Sequence, residues 1–208
     1  MAVRPRSPRG EGERLRATLL DVATELLAEV NDIDRLSIRA VTARAGVSPS
    51  ALYMHFADKD ALVDAIKERC FTELREWVEV AGRDASDPGQ RLLAMGQAYL
   101  AFARERAGWY AVCFQTRFGP QGEEMTPPNR DTEDADALVF LDLMDAVAAV
   151  RQTTEEEIYE IATILWTALH GRASLMQAMP ACPLPPEDQW LRRLSLVVVG
   201  GADAPAVS

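Results

Sequence analysis

Between its prolines the chain repeats apolar residues at three- and four-residue steps, and no stretch alternates apolar with polar at the period of a strand. That property restricts the fold to packed helices. In 13–30, Leu15, Leu19, Val22, Leu26, Leu27 and Val30 share one helical face, and in 60–80 so do Leu62, Ile66, Cys70, Leu74 and Trp77. The twelve prolines fall at 5, 8, 49, 88, 120, 127, 128, 180, 183, 185, 186 and 205, so they separate helices rather than interrupt them. Asp87-Pro88-x-Gln90 joins an N-cap, a proline at the first helical position and a glutamine at the third. Thr154 followed by Glu157 is a capping box for a helix through Leu165, Trp166, Leu169 and Met176. A last helix is expected over 187–199, loops over 116–134 and 179–186, and a disordered tail over 201–208. The fold class is all-α, with about nine helices.

Composition narrows the function. The 208 residues are 48% hydrophobic and 26% charged, the balance of a globular chain rather than a disordered one. The longest uncharged run, 173–186, holds four prolines, so no membrane span is expected. No apolar signal core follows the N-terminal arginines, and Cys70, Cys113 and Cys182 are too scattered for a disulfide framework or a zinc site. A cytoplasmic location is expected. The net charge is −10, yet residues 1–56 hold eight arginines against seven acids. Arg4, Arg6 and Arg9 all precede the first acid, Glu11, giving a basic tip on an acidic body.

The most informative stretch is SIRAVTARAGVSPSALYMHFADKD, residues 37–60. Ser37 can cap a short helix over 38–45, and Gly46 supplies the left-handed residue of a tight turn. Ser48 and Pro49 then start a second helix at once, with Leu52 and Phe56 as its buried face. By spacing alone the pattern fits a structural helical hairpin as well as a DNA-binding helix-turn-helix. The exposed residues favour DNA. Ser48, Ser50, Ala51, Tyr53, Met54 and His55 are small, apolar or hydrogen-bonding, and none is acidic. Lys59 stands at the start of the following helix, where an ammonium and free N–H groups could meet one phosphate, and Arg39 on the first helix could reach the backbone.

Ala45-Gly46-Val47-Ser48, Leu52-Tyr53, His55-Phe56, Lys59 and Leu62, in that order and register, resemble the N-terminal module of the TetR family of transcriptional regulators. The resemblance covers about residues 12–72. It implies that Tyr53, His55 and Lys59 contact phosphates, that Ser48, Ser50 and Ala51 lie nearest the bases, and that Thr42, Pro49 and Met54 belong to the DNA face. Thr42 departs from the small apolar residue usual there, and Met54 from a position often polar or basic. Trp166-x-x-x-His170-Gly171 resembles the Trp-x-x-x-His-Gly signature of one class of TetR-type ligand-binding domains.

The expected organisation is a three-helix DNA-binding domain over 1–72, with its motif at about 37–56, and a ligand-binding and dimerisation domain over 73–200. Met95, Tyr99, Phe102, Trp109 and Tyr110 are candidates for lining an apolar effector site, as are Cys113, Phe140, Met144, Trp166 and His170. Ordinary core packing is the alternative for each of them. The helices at 155–178 and 187–199, with Leu191 and Leu194, are expected to form a homodimer interface. The chain thus reads as a ligand-responsive repressor that binds a palindromic operator in double-stranded DNA and is released by a small lipophilic effector. An activator of the same fold and a helical sensor or carrier without DNA binding are the alternatives. No phosphate loop, nucleophile elbow or carboxylate pair stands out, so no catalytic residue, metal ligand or cofactor is expected and an enzyme is unsupported.

Overall fold

Each long run of helical periodicity forms a helix in the computed structural model, which describes residues 11–30, 33–114 and 129–199. Among the described residues there are nine helices and no strand: α1 Glu11–Val30, α2 Ile38–Ala45, α3 Pro49–Tyr53, α4 Lys59–Arg83, α5 Pro88–Glu105, α6 Ala107–Phe114, α7 Ala135–Val150, α8 Glu155–Ala178 and α9 Glu187–Val199. The tail expected to be disordered, 201–208, and most of the loop at 116–134 lie outside the described residues.

The chain divides into two units, Met1–Cys70 with Gly108–Pro120, and Phe71–Ala107 with Gln121–Ser208. Gly108–Phe114 of α6 belong with the N-terminal unit although they follow α5 in the chain. The reason is steric. Gly108 lies so close to Ala28 on α1 that no side chain fits between them.

In the first unit, Leu19, Ala23 and Leu27 of α1 are fully buried with Val41 of α2, Leu52 of α3 and Leu62 and Ile66 of α4. Complete burial of each leucine or isoleucine contributes about 1.5–3 kcal/mol. The ion pair Arg44–Glu29, with N···O distances of 2.8 and 3.3 Å, and the pair Arg69–Asp21, at 2.5 Å, lie outside this core. The Arg44 guanidinium holds the Glu29 carboxyl below the usual carboxylate range.

In the second unit, α5 packs against α7, α8 and α9. Its start follows the sequence pattern: Asp87 Oδ1 accepts from Gln90 N at 2.9 Å, and Pro88 occupies the first turn. Thr154 Oγ1 likewise accepts from Glu157 N at 3.3 Å at the start of α8. Arg75 of α4 grips Asp142 of α7 with two hydrogen bonds, 2.6 and 3.2 Å. Arg172 of α8 is buried, donates to the Pro185 carbonyl at 2.8 Å and lies 4.9 Å over the Trp190 ring, tying α9 and the proline-rich loop to α8.

Candidate functional site

The first unit carries a two-helix element whose geometry is set residue by residue. Ser37 Oγ accepts from Ala40 N at 3.0 Å and starts α2. Gly46 ends it with φ 69° and ψ 28°, the left-handed region, and Val47 N then donates to the Thr42 carbonyl at 3.0 Å. Ser48 Oγ accepts from Ala51 N at 3.3 Å, Pro49 opens α3, and the fully buried Leu52 anchors the helix with Phe56. The Arg16 guanidinium lies 5.1 Å from the Phe56 ring centre.

This anchoring leaves Ser48, Pro49, Ser50, Tyr53 and Met54 exposed along α3, with Ala51, His55 and Lys59 half-buried beside them. Met54 is 82% exposed. Arg39 is exposed on α2. Thr42 requires a correction. It is 2% exposed, and its hydroxyl donates to the Ile38 carbonyl at 2.9 Å, so it supports α2 from inside and does not join the exposed face. Lys59 Nζ donates to the Asp34 carbonyl at 3.4 Å at the start of α4. Neighbouring Asp58 accepts from Ala61 N at 2.8 Å, so its carboxylate caps α4.

The second unit holds an apolar cavity. It is partly open to solvent and lies between residues of α5, α7, α8 and α9 and Val78 of α4. Four of the expected residues line it: Met95, Tyr99, Phe140 and Trp166. His170 stands behind that wall, with Nδ1 3.3 Å from the Tyr99 hydroxyl and its ring stacked on Trp166 at 5.8 Å. Burial lowers the His170 pKa from its ordinary value. Phe140 meets Trp166 edge-on at 6.2 Å and Tyr159 at 5.8 Å.

The other candidates lie elsewhere. Phe102 is fully buried core, edge-on to Trp77 at 5.7 Å. Met144 is buried but does not line the cavity. Trp109, Tyr110 and Cys113 are on α6, in the first unit, where Arg69 lies 5.8 Å from the Trp109 ring centre. Most of the lining is aliphatic, which a search for rings overlooks: Leu92, Leu93, Val139, Leu143, Leu165 and Leu169 all contribute. Leu191 and Leu194 line the cavity too, and Leu191 is only 3% exposed, so it is not a free surface residue. The signal that could have found this wall is a glycine inside a helix. Gly96 costs α5 about 1 kcal/mol of propensity, and a Cβ there would stand 3.1 Å from Leu191 and 3.6 Å from Leu169.

Among the described residues no group of three His, Cys, Asp or Glu could hold a metal, and no helix is long and apolar enough to cross a membrane.

Residues 19–66 match the family described as bacterial regulatory proteins, tetR family, and residues 92–195, half of the chain, match the tetracyclin repressor-like C-terminal domain. The HTH-type transcriptional regulator UidR of Escherichia coli K12 is 34% identical over 73 residues, a match spanning 33% of this chain and 37% of that protein. A solved structure of a protein of unknown function from Rhodococcus sp. RHA1 is similar at TM-score 0.73 and 25% identity, covering 94% of this chain and 98% of that one. A TetR-like transcriptional regulator from the same organism aligns at TM-score 0.63 and 19% identity over 95% of this chain and all of that one.

Proposed function

The chain belongs to the TetR family of transcriptional regulators, DNA-binding proteins with a helix-turn-helix head, and from that premise we propose that it is a cytoplasmic, homodimeric repressor released from a palindromic operator by a small lipophilic effector. The observation that carries this reading is the pairing of two features in one chain. An exposed, acid-free α3 face is suited to DNA, and an apolar cavity in the other unit is suited to a signal. On this reading Ser48, Ser50, Ala51 and Met54 read base edges, while Arg39, Tyr53, His55 and Lys59 hold phosphates.

The dimer is proposed through α8 and α9. On α8, Ile164, Thr167, Gly171 and Leu175 form an exposed stripe at helical spacing, and Leu196 of α9 is 66% exposed. Around Gly171 there is open space where a second helix could approach. A two-fold pair would present α3 to major-groove faces about 34–36 Å apart. An effector with higher affinity for a state of different spacing would release the DNA. The finer C-terminal class rests on Trp166-x-x-x-His170-Gly171, in which the tryptophan and histidine stack.

The test is a mobility shift with the DNA upstream of the protein's own gene, repeated with apolar compounds. The expected result is a salt-sensitive complex dissolved by at least one of them. Absence of any complex at low salt with folded protein would remove the DNA-binding part.

A further inference from the structure

The cavity has a definite chemistry, and the ligand class inferred from it rests on the cavity's role as the effector site. Among the described residues no charged side chain lines it. Three arginines of the surrounding helices are engaged outside it, Arg75 with Asp142, Arg104 with Glu187 and Arg172 with the Pro185 carbonyl. A charged guest would give up its hydration with no counter-charge in the wall. Two residues of the lining, Ser195 and Tyr99, carry hydroxyls. Ser195 donates to the Arg192 carbonyl of its own helix at 2.9 Å. Tyr99 is 4% exposed and is paired with His170 at 3.3 Å. A phenol carries one proton and two lone pairs, and the neutral imidazole can accept or donate at Nδ1. By exchanging its present partners, the Tyr99 hydroxyl can therefore offer a guest either a donor or an acceptor. Phe140 and Trp166 line the cavity and meet edge-on at 6.2 Å, and outside the lining the series continues to Tyr159, edge-on to Phe140 at 5.8 Å, and to His170, stacked on Trp166 at 5.8 Å. Such a series offers an aromatic guest ring contacts beyond the area it buries.

We infer that the cavity takes an uncharged aromatic molecule bearing one hydroxyl or carbonyl oxygen, its ring against Phe140 and Trp166 and its oxygen held by the Tyr99 hydroxyl. The carboxylate of an acidic analogue is excluded by the same wall.

Calorimetry on the full chain without DNA tests this with four probes: 2-naphthol, naphthalene, 2-naphthoate and 1-decanol. In the native protein 2-naphthol should bind about three- to tenfold tighter than naphthalene, the effect of one hydrogen bond. It should bind at least roughly tenfold tighter than the anion 2-naphthoate. Tyr99→Phe keeps the ring and should erase the first difference while leaving naphthalene unchanged. Val139→Trp, which fills the cavity, should abolish binding of every probe while the operator complex survives, locating the site independently of Tyr99. The inference is overturned if 2-naphthoate or 1-decanol binds as tightly as 2-naphthol, if Tyr99→Phe leaves the naphthol preference intact, or if no naphthalene derivative binds. Binding of 2-naphthol that follows this pattern without dissolving the DNA complex supports the ligand class and counts against the regulatory reading alone.

Discussion

Gly108 and Ala28 leave no room for a side chain between them: a Cβ on Gly108 would stand 2.5 Å from the Ala28 Cβ and 3.3 Å from its Cα and carbonyl oxygen. Backbone atoms cannot swing away as a flexible side-chain end can. Gly108→Ala is therefore expected to destabilise the first unit by about 1–3 kcal/mol through overpacking. Urea unfolding checks this, and an unshifted midpoint would mean that α6 does not rest on α1.

Gly46 presents the opposite case. Nothing lies within 4 Å of the position a Cβ would take, but φ is 69°. Its cost on substitution is conformational alone. Gly46→Ala should lose roughly 1–2 kcal/mol, and Gly46→Asn less, because asparagine tolerates the left-handed region. Equal losses for the two, read from the same urea midpoints, would contradict a purely conformational cost.

Phosphate contacts carry no sequence information. Tyr53→Ala and Lys59→Ala should thus weaken binding about equally on all operator variants. Each should also reduce the slope of log affinity against log salt, Lys59→Ala by about one. Ser50→Ala should change the ranking of operator variants instead. Fluorescence anisotropy over a salt series distinguishes the two behaviours.

Two sets of leucine-type substitutions separate interface from core. Ile164→Asp with Leu175→Asp alters exposed α8 positions and should give a folded monomer with poor operator affinity. Leu191→Asp places a carboxylate at a buried, cavity-lining site and should cost stability first. Light scattering together with circular dichroism reads both outcomes. A folded dimer from the first pair would place the interface elsewhere.

Burial depresses the His170 pKa below its ordinary value of 6.5. The unfolded chain therefore binds that proton more readily than the folded one, and acid favours unfolding. The contribution is fully present above about pH 6.5 and is lost as pH falls through the folded value. Melting temperatures between about pH 7.5 and 5 should decline less steeply for His170→Gln than for the native chain. Parallel curves would mean that other groups account for the decline.

What the sequence disclosed was local. Ser37, Gly46, Ser48, Pro49, Asp87 and Thr154 act on backbone groups within three or four residues of themselves, so their spacing alone predicts where helices start and stop. The same holds for the exposed face of α3, because the buried Leu52 and Phe56 leave their neighbours exposed. Facts that depend on distant chain were hidden. Thr42 looks like a surface hydroxyl until the first unit closes over it. Trp109 and Phe102 belong to different units although seven residues apart, because α6 is captured by the helix that carries Ala28. Leu191 lies on an apolar face, but periodicity does not say whether that face meets the same chain or a second copy.

Ser48 and Ser50 hold each other, with their hydroxyl oxygens 2.8 Å apart. In the unbound protein one of the two hydroxyl protons is therefore already engaged. On the proposed reading, bringing both serines to DNA means exchanging that hydrogen bond for another, so a matched site gains little from it. A mismatched site instead leaves a hydroxyl desolvated and unanswered, at a cost of about 1–3 kcal/mol. On the proposed reading these serines act as a veto on wrong sequences more than as an attraction to the right one, with the general grip on DNA left to the proposed phosphate contacts around them.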